Sequence, residues 1–255
     1  MSLEPVAIVA LVVLISIAAF VNGTIGFGFA LLAVNALAFV LDARNGVIVM
    51  STITPIVSGL QTIHHRRHRS IVRHFRTLLL AALVGTVIGT FLLVNLPGPA
   101  ISAALGLFTV WFALNALRAE RPPISGATQR WLGPVAGLVG GISNGALGAS
   151  GPVFGTYLTA IGLRGTEFAF AISIAFFVMA ILRIGLLASL GQYTVALLAL
   201  GLALAVPAVL GQRMGFWFRG RLSPRTLYRA VIAILFVAGA NLIVRAVASV
   251  VTEAG

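Results

Sequence analysis

Continuous runs of apolar residues, separated by short polar stretches, make up nearly the whole chain. A helix needs about 20 apolar residues to cross a bilayer. The strands of a transmembrane barrel would instead alternate apolar and polar positions. The pattern therefore predicts an all-α, polytopic integral membrane protein. Its predicted hydrophobic segments are 5–21, 29–41, 47–63, 77–95, 100–117, 131–143, 153–163, 168–190, 195–212 and 226–250.

Two glycine-rich stretches break this pattern at corresponding places. Glycine frees the backbone and proline lacks an N–H, so we expect interrupted or re-entrant helices there. In lipid such backbone is tolerated only where it is buried in protein or lines a cavity. We therefore predict that the two breaks meet and form the binding site. They are Asn22–Gly28, with Asn22, Gly23, Gly26 and Gly28, and Asn144–Pro152, with Asn144, Gly145, Gly148, Ser150, Gly151 and Pro152.

The order of segments, breaks and polar corners occurs twice. A shift of 144 − 22 = 122 residues places Asn22 on Asn144 and Gln61 on Arg183. Repetition of a whole segment order indicates an internal repeat. We predict two membrane repeats of five hydrophobic segments each, joined by a cytoplasmic linker. The predicted divisions are 1–118 for the first repeat, 119–130 for the linker and 131–255 for the second repeat.

Loop charge predicts that the two repeats have opposite orientations. The arginine-rich stretch 64–76 should be cytoplasmic by the positive-inside rule, whereas its counterpart at 191–194 carries no charge. Inverted repeats are common in secondary transporters, which bind substrate near the midplane. Residues 131–163 either cross twice or re-enter, and the short first arm, 131–143, favours re-entry. The loops predicted to be cytoplasmic are 64–76, 118–130 and 213–225.

The formal charge of +12 arises from 17 basic residues, all arginine, against five acids. These arginines cluster in loops between apolar runs, which indicates anionic lipid headgroups as their partner, not nucleic acid. The acids lie at termini, linkers and corners, so no carboxylate is available in mid-span for proton or sodium coupling. Without cysteines or a nucleophile–base pair, we expect no catalytic residues, no metal site and no cofactor.

Arg183 is the ionisable residue that lies well inside a predicted span. It could extend to the near interface, since long basic side chains often do so. Alternatively, it places a positive charge in a cavity, opposite Gln61. Polar residues such as Thr54 and Tyr157 are expected to bond between helices or to contact ligand. The glycine series Gly85-xxx-Gly89 and Gly137-xxx-Gly141-xxx-Gly145 is typical of close helix packing.

Two motifs, Asn22-Gly23-x-x-Gly26-Phe-Gly28 and Ser150-Gly151-Pro152-x-x-x-x-Tyr157-Leu158, resemble those of the sulfite exporter TauE/SafE family. The resemblance covers nearly the whole chain. It implies two repeats and transport of sulfite, sulfonates or other small anions across the bacterial inner membrane. Independently, backbone donors, amide side chains and an arginine without a buried acid suit a small anion.

We therefore expect an exporter that works by alternating access around a midplane site. Two alternative functions stay open, which are transport of a small carboxylate and a non-transporting role as a membrane assembly partner. A homodimer is possible in each case. An intramembrane enzyme is disfavoured because catalytic groups are missing. The expected substrate-binding residues are Asn22, Gly23, Gly26, Gly28, Gln61, Asn144, Gly145, Gly148, Ser150, Gly151, Pro152, Tyr157 and Arg183.

Overall fold

The structure, a computed structural model, describes residues 4–26, 28–116, 126–221 and 224–254. Within these ranges the chain forms ten α-helices and one 3₁₀ segment, and no strand. This confirms the predicted all-α class. The helices are α1 (Pro5–Ile25), α2 (Phe29–Val40), α3 (Ala43–His64), α4 (Arg76–Asn95), α5 (Gly98–Ala116), α6 (Gly126–Leu147), α7 (Gly151–Ala160), α8 (Gly165–Ser189), α9 (Val195–Phe218) and α10 (Pro224–Ala254), with the 3₁₀ segment Arg66–His74 between α3 and α4.

Seven helices of the described ranges contain a segment long and apolar enough to cross a membrane. They are α1, α3, α4, α5, α8, α9 and α10. The two helices that follow the breaks are much shorter. With 12 and 10 residues, α2 and α7 reach only about 18 Å and 15 Å at helical rise. That is well short of a hydrocarbon core of about 30 Å. The protein is a multi-pass membrane protein with two half-length helices.

Two predicted segment boundaries are wrong. Helix α1 continues through Asn22 and Gly23 to Ile25, and α6 starts at Gly126 and runs for 22 residues to Leu147. The short arm at the second break is therefore α7 and not 131–143. An Asn or Gly costs a helix at most about 1 kcal/mol, which tertiary packing overrides here. Residues 117–125, in and beside the predicted linker, lie outside the described residues.

Contacts at the helix ends define two ends of the bundle. The arginine-rich end carries residues 64–76, and there Arg219 of the α9 C-terminus donates to the Gly23 carbonyl of α1. At the opposite end, Arg245 of α10 donates to the Phe39 carbonyl of α2 at 3.3 Å. The cytoplasmic location of the arginine-rich end is a prediction from loop charge.

Close backbone contact joins helices of the two predicted repeats in a crossed pattern. Helix α1 packs on α9 and α4 on α6, while α3 packs on α8 and α5 on α10. A Cβ added to Gly85 or Gly141 would overlap the facing backbone of the α4–α6 pair, and one added to Gly23 or Gly215 would do so in the α1–α9 pair. The predicted packing role of the α4 and α6 glycines is confirmed.

We expect Gly141→Ala to destabilise the protein by about 1–3 kcal/mol, because its methyl group would meet backbone atoms of Ala82 that cannot move alone. The matched control is Gly185→Ala on α8, where a Cβ meets no atom within 4 Å. Thermal unfolding in detergent measures both variants. Equal melting temperatures for the two would contradict the close α4–α6 contact.

Candidate functional site

The first break is a glycine turn that ends α1. Gly26 and Gly28 both have φ of 98°, a left-handed conformation that a side chain would strain. The Gly26 N–H donates to the Asn22 carbonyl at 2.7 Å and closes the helix. Helix α2 then begins at Phe29, and the N–H groups of its first turn have no partner within the helix. Helix α1 thus ends at Ile25, close before the start of α2.

The second break repeats this geometry at the end of α6. Gly148 has φ of 69°, and its N–H donates to the Asn144 carbonyl at 2.9 Å. Helix α7 begins at Gly151 with Pro152 in its first turn, where the missing N–H of proline costs no helical hydrogen bond. The interruption covers only residues 148–150, so Asn144 and Gly145 remain helical.

A small cavity lies between the first break and the α3–α8 pair. It has about 20 Å³ of free space, roughly enough for one water molecule. The first turn of α2, which carries the positive end of that helix, forms part of its wall. The lining residues are Asn22, Gly26, Phe29, Ala30, Thr54, Val57, Ser58, Gln61, Ile172 and Phe176.

Three buried carboxamides meet at one side of this cavity. The Asn22 Nδ2 donates to Gln61 Oε1 at 3.2 Å, and Gln212 Nε2 of α9 donates to the same oxygen at 3.5 Å. Gln61 Nε2 in turn donates to the Gly26 carbonyl at 3.4 Å. Sequence reasoning missed Gln212, although a carboxamide within an apolar run was a usable signal. The cluster is neutral and largely satisfied, so it links α1, α3 and α9 around the first break.

Arg183 lies next to the second break and is completely buried, with 0% of its surface exposed. Its Nη1 donates to the Asn144 carbonyl at the C-terminal end of α6. Its Nε and Nη2 have no hydrogen-bond partner in the described part of the chain, and the same holds for Asn144 Nδ2 and Ser150 Oγ. The interpretation that Arg183 extends to the interface is wrong, because the guanidinium is held inside the protein.

The two breaks place different side chains in equivalent surroundings. Asn22 with Gln61, and Asn144 with Arg183, are each separated by 39 residues. The sequence shift of 122 residues had already aligned Gln61 with Arg183. One position therefore holds a neutral amide near the arginine-rich end, and its counterpart holds a cation near the opposite end.

The two clusters lie on one face of the α3–α8 pair but do not touch. Ile172, Phe176 and Arg183 follow a spacing that keeps them on one side of α8, and Arg183 is about 10 Å beyond Phe176 at helical rise. Phe176 also lies 3.9 Å from the position of a Cβ on Gly151, at the start of α7. Phe176, which lines the cavity at the first break and lies next to Gly151, therefore connects the two breaks.

Three of the predicted site residues face other parts of the bundle. Gly23 contacts the α9 backbone, and Gly145 contacts the α4 backbone. Tyr157 lies at the arginine-rich end, where its hydroxyl is 2.8 Å from the position of a Cβ on Gly133. Thr54, which was expected to bond between helices, donates to the Met50 carbonyl of its own helix at 2.7 Å and lines the cavity.

An arginine outside the predicted site residues holds the first break. The Arg219 Nε and Nη2 donate to the Gly23 carbonyl at 3.2 and 2.9 Å. Its guanidinium lies 5.4 Å from the centre of the Phe216 ring, which stacks on His64 at 4.9 Å. In the sequence Arg219 was counted only as a loop charge, because one-dimensional charge clustering does not show which arginine turns inward.

The imidazole of His65 is buried beside this group and should make stability depend on pH. Burial lowers the pKa of His65 from 6.5 to about 4, and the charges of His64, Arg219 and His68 act in the same direction. The unfolded chain therefore binds the proton more readily than the folded protein does. The contribution of the neutral His65 imidazole to stability is fully present above pH 6.5 and is lost as pH falls towards 4.

We expect the melting temperature of the wild type to fall more than that of His65→Phe between pH 7 and pH 4.5. The phenyl ring keeps the aromatic contact but cannot be protonated. His74→Phe, at an exposed histidine of the same stretch, is the control and should retain the wild-type pH dependence. Parallel pH curves for wild type and His65→Phe would contradict the buried neutral imidazole.

Comparison with known proteins gives one result at the family level. The family model described as Sulfite exporter TauE/SafE matches residues 11–242. The match includes both breaks, the carboxamide cluster and Arg183. Neither a curated protein nor a solved structure matches the chain.

Proposed function

Since the chain belongs to the sulfite exporter TauE/SafE family, a family of membrane transporters, we propose that it exports a small, sulfur-containing anion such as sulfite or a sulfonate. We place it in the bacterial inner membrane with the arginine-rich end in the cytoplasm. In this proposal the anion moves along the face shared by α3 and α8, between the carboxamide cluster and Arg183.

The observation that carries this proposal is the state of the Arg183 guanidinium. Its Nη1 is used by the end of α6, and its Nε and Nη2 have no partner in the described ranges. A buried cation without a counter-charge is costly, and within those ranges no acid bonds to it. The Nε–Nη2 edge of a guanidinium fits two oxygens of an oxyanion. A monoanion bound there would supply both the missing acceptors and the missing charge.

The two half-length helices also favour a negatively charged ligand. The N-terminus of α2 lines the cavity, and that of α7 begins against Phe176. Helix N-termini carry free N–H groups and a partial positive charge, so both favour an anion. Interrupted helices of this kind form substrate sites in transporters built from inverted repeats. The crossed pairing of α1 with α9 and α4 with α6 is the pattern expected of two such repeats.

The size of the cavity supports a mechanism of alternating access. Space for about one water molecule is less than the four heavy atoms of sulfite require. The route is therefore closed in this conformation, with Phe176 between the cavity and the α7 N-terminus. We propose that a movement of α8 relative to α3 displaces this ring and joins the cavity to the Arg183 region.

Electrostatics favours export and makes a coupling carboxylate unnecessary. Moving one negative charge out of a cell that is negative inside is downhill by about 2.3 kcal/mol per 100 mV. A small carboxylate would gain equally, and it is the second candidate substrate because the guanidinium edge also fits two carboxylate oxygens.

Co-purification of a stable partner together with absent solute flux would instead support the assembly-partner alternative.

We expect Arg183→Gln to weaken anion binding and transport by about 10- to 100-fold, the effect of losing hydrogen bonds to a charged group. Glutamine occupies position 61, which aligns with position 183. The fold therefore already accommodates a glutamine at the corresponding place beside the first break. Arg183→Lys restores the charge but not the planar fork, and should recover only part of the activity. Flux of labelled sulfite or sulfonate into proteoliposomes and thermal shift by the same anions measure both steps.

Arg245→Gln is the matched control, because Arg245 is an exposed arginine at the same end of the bundle. Its flux should equal that of the wild type. Wild-type flux in Arg183→Gln, with the variant correctly folded, would contradict the proposed site.

We expect Phe176→Ala to admit larger anions, since removal of the ring connects the cavity with the α7 N-terminus. Competition of a series of alkanesulfonates against labelled substrate measures the change, and the longer members should gain the most. Phe91→Ala, which removes an exposed ring of α4, should leave the series unchanged. An unaltered size preference in Phe176→Ala would contradict the role of Phe176 as the closure.

A further inference from the structure

Gln212 is a carboxamide of α9 that is almost completely buried, with 1% of its surface exposed. It lies between Gly211 and Gly215, where the α9 backbone contacts the α1 backbone without intervening side chains. Its own carbonyl oxygen lies against Gly23 of α1. Close backbone packing of this kind leaves little freedom of position. The Gln212 side chain is therefore held beside the first break.

The backbone of α3 determines the orientation of the Gln212 carboxamide. Its Nε2 donates to the Val57 carbonyl at 3.3 Å and to Gln61 Oε1 at 3.5 Å. A carbonyl can only accept a hydrogen bond, so the nitrogen must face it. The Asn22 Nδ2 donates to the same Gln61 oxygen at 3.2 Å, which uses both lone pairs of that oxygen. The acceptor end of Gln61 is thus turned towards α1 and α9.

This arrangement decides which end of Gln61 faces the cavity. Gln61 forms part of the cavity wall, and within the described ranges its Nε2 makes one hydrogen bond, to the Gly26 carbonyl at 3.4 Å. An amide nitrogen carries two N–H groups, so one of them has no acceptor in this part of the chain. If the amide turned around, its oxygen would face the Gly26 carbonyl and the cavity, and it would repel an anion.

Of the two donors to the Gln61 oxygen, Gln212 is the one that cannot turn together with it. Within the described ranges, the hydrogen bond to Gln61 is the one that the Asn22 side chain makes. Asn22 and Gln61 could therefore both turn and still bond to each other. Gln212 is held by the Val57 carbonyl, and turning it would place two oxygens against each other. The orientation of Gln61 therefore depends on Gln212.

The α4–α6 crossing has the same register as the α1–α9 crossing. A Cβ on the first glycine of the α4 pair would overlap the Leu138 carbonyl of α6, and one on the first glycine of the α9 pair would overlap the Ser16 carbonyl of α1. Leu138 and Ser16 are related by the shift that aligns the two breaks, since 138 − 16 = 122. The positions that correspond in the two crossings are Gly85 with Gly211, Thr86 with Gln212, and Gly89 with Gly215.

The counterpart of Gln212 at the second break does not act as an orienting donor. The Thr86 hydroxyl donates to the Ala82 carbonyl of its own helix at 2.8 Å. The counterpart of Gln61 at that break is Arg183, and a guanidinium has only donors, so it presents an N–H group in either orientation. An amide has one donor end and one acceptor end, and in this protein the amide is the one that has an orienting residue beside it.

We propose that Gln212 is a positioning residue of the first break, which fixes the Gln61 carboxamide so that an N–H group, and not the oxygen, faces an anion in the cavity. This inference rests on the proposed function. Gln212 is not among the residues that line the cavity, so it acts through Gln61 and not by contact with the anion.

The test is a double-mutant cycle with Gln212→Met and Gln61→Met, because methionine has a similar length and shape but no amide. We expect Gln212→Met to raise the KM of labelled sulfite flux from the arginine-rich side about fivefold, the effect of one hydrogen bond, and to change kcat less than about twofold. In the Gln61→Met background, Gln212→Met should raise the KM no further, because no amide is left to orient. A merely structural role of Gln212 would raise the KM in both backgrounds.

Gln192→Met is the matched control. It makes the same chemical change at a partly buried glutamine in the turn between α8 and α9, and its KM should equal that of the wild type.

A second cycle measures the hydrogen bond itself in the absence of ligand. The same four proteins are unfolded thermally in detergent. We expect the effects of the two substitutions on stability not to add, because each of them alone breaks the bond between Gln212 and Gln61.

The outcomes separate this inference from the proposed function. An unchanged KM in Gln212→Met, or increases in KM that multiply in the double variant, would overturn the positioning role while saturable flux still supported transport. Additive effects on stability would overturn it as well, whether or not the anion is transported. If the wild type transports neither sulfite nor a sulfonate, the proposed function fails and this inference fails with it.

Discussion

The arrangement of the second break depends on one constraint, which is that a fully buried guanidinium must be stabilised inside an apolar bundle. One N–H group of Arg183 donates to the Asn144 carbonyl at the C-terminal end of α6, where the helix dipole favours a cation. This contact requires α6 to end near Asn144, and Gly148 provides the left-handed turn that ends it. The helix break and the buried charge are thus parts of one arrangement, and the remaining guanidinium edge has no hydrogen-bond partner in the described part of the chain.

The first break solves the same backbone problem in a different way. Its released carbonyl groups are bonded by Arg219 from α9 and by the Gln61 amide, and the neighbouring carboxamides satisfy one another. No charge is buried in the middle of this cluster. In the function proposed above, an exported anion would pass from this neutral cluster at the arginine-rich end to the cationic site beside Arg183 at the opposite end.

The fold class and the two breaks followed from hydrophobic run length and from glycine, because both express local rules. The equivalence of Gln61 and Arg183 also followed from a constant sequence shift, and both residues lie beside the asparagine of their own break. Tertiary contacts decided the rest. Gly23 and Gly145 share the composition of the breaks but face α9 and α4. Gln212 and Arg219 come from distant segments. The carboxamide of Gln212 within an apolar run was a signal, but no local pattern shows which of the loop arginines turns inward.

The crossed pairing of helices has a consequence for biogenesis. Helix α1 ends at Ile25, and its partner α9 begins at Val195, so 195 − 25 = 170 residues must be synthesised before the two can meet. At 5–20 residues per second this takes roughly 10 to 30 s. During that time the face of α1 that packs on α9 is exposed to lipid or to an insertion factor. Neither half can complete its own packing, and a chain truncated after α5 would leave the translocon with both α1 and α4 lacking their partners.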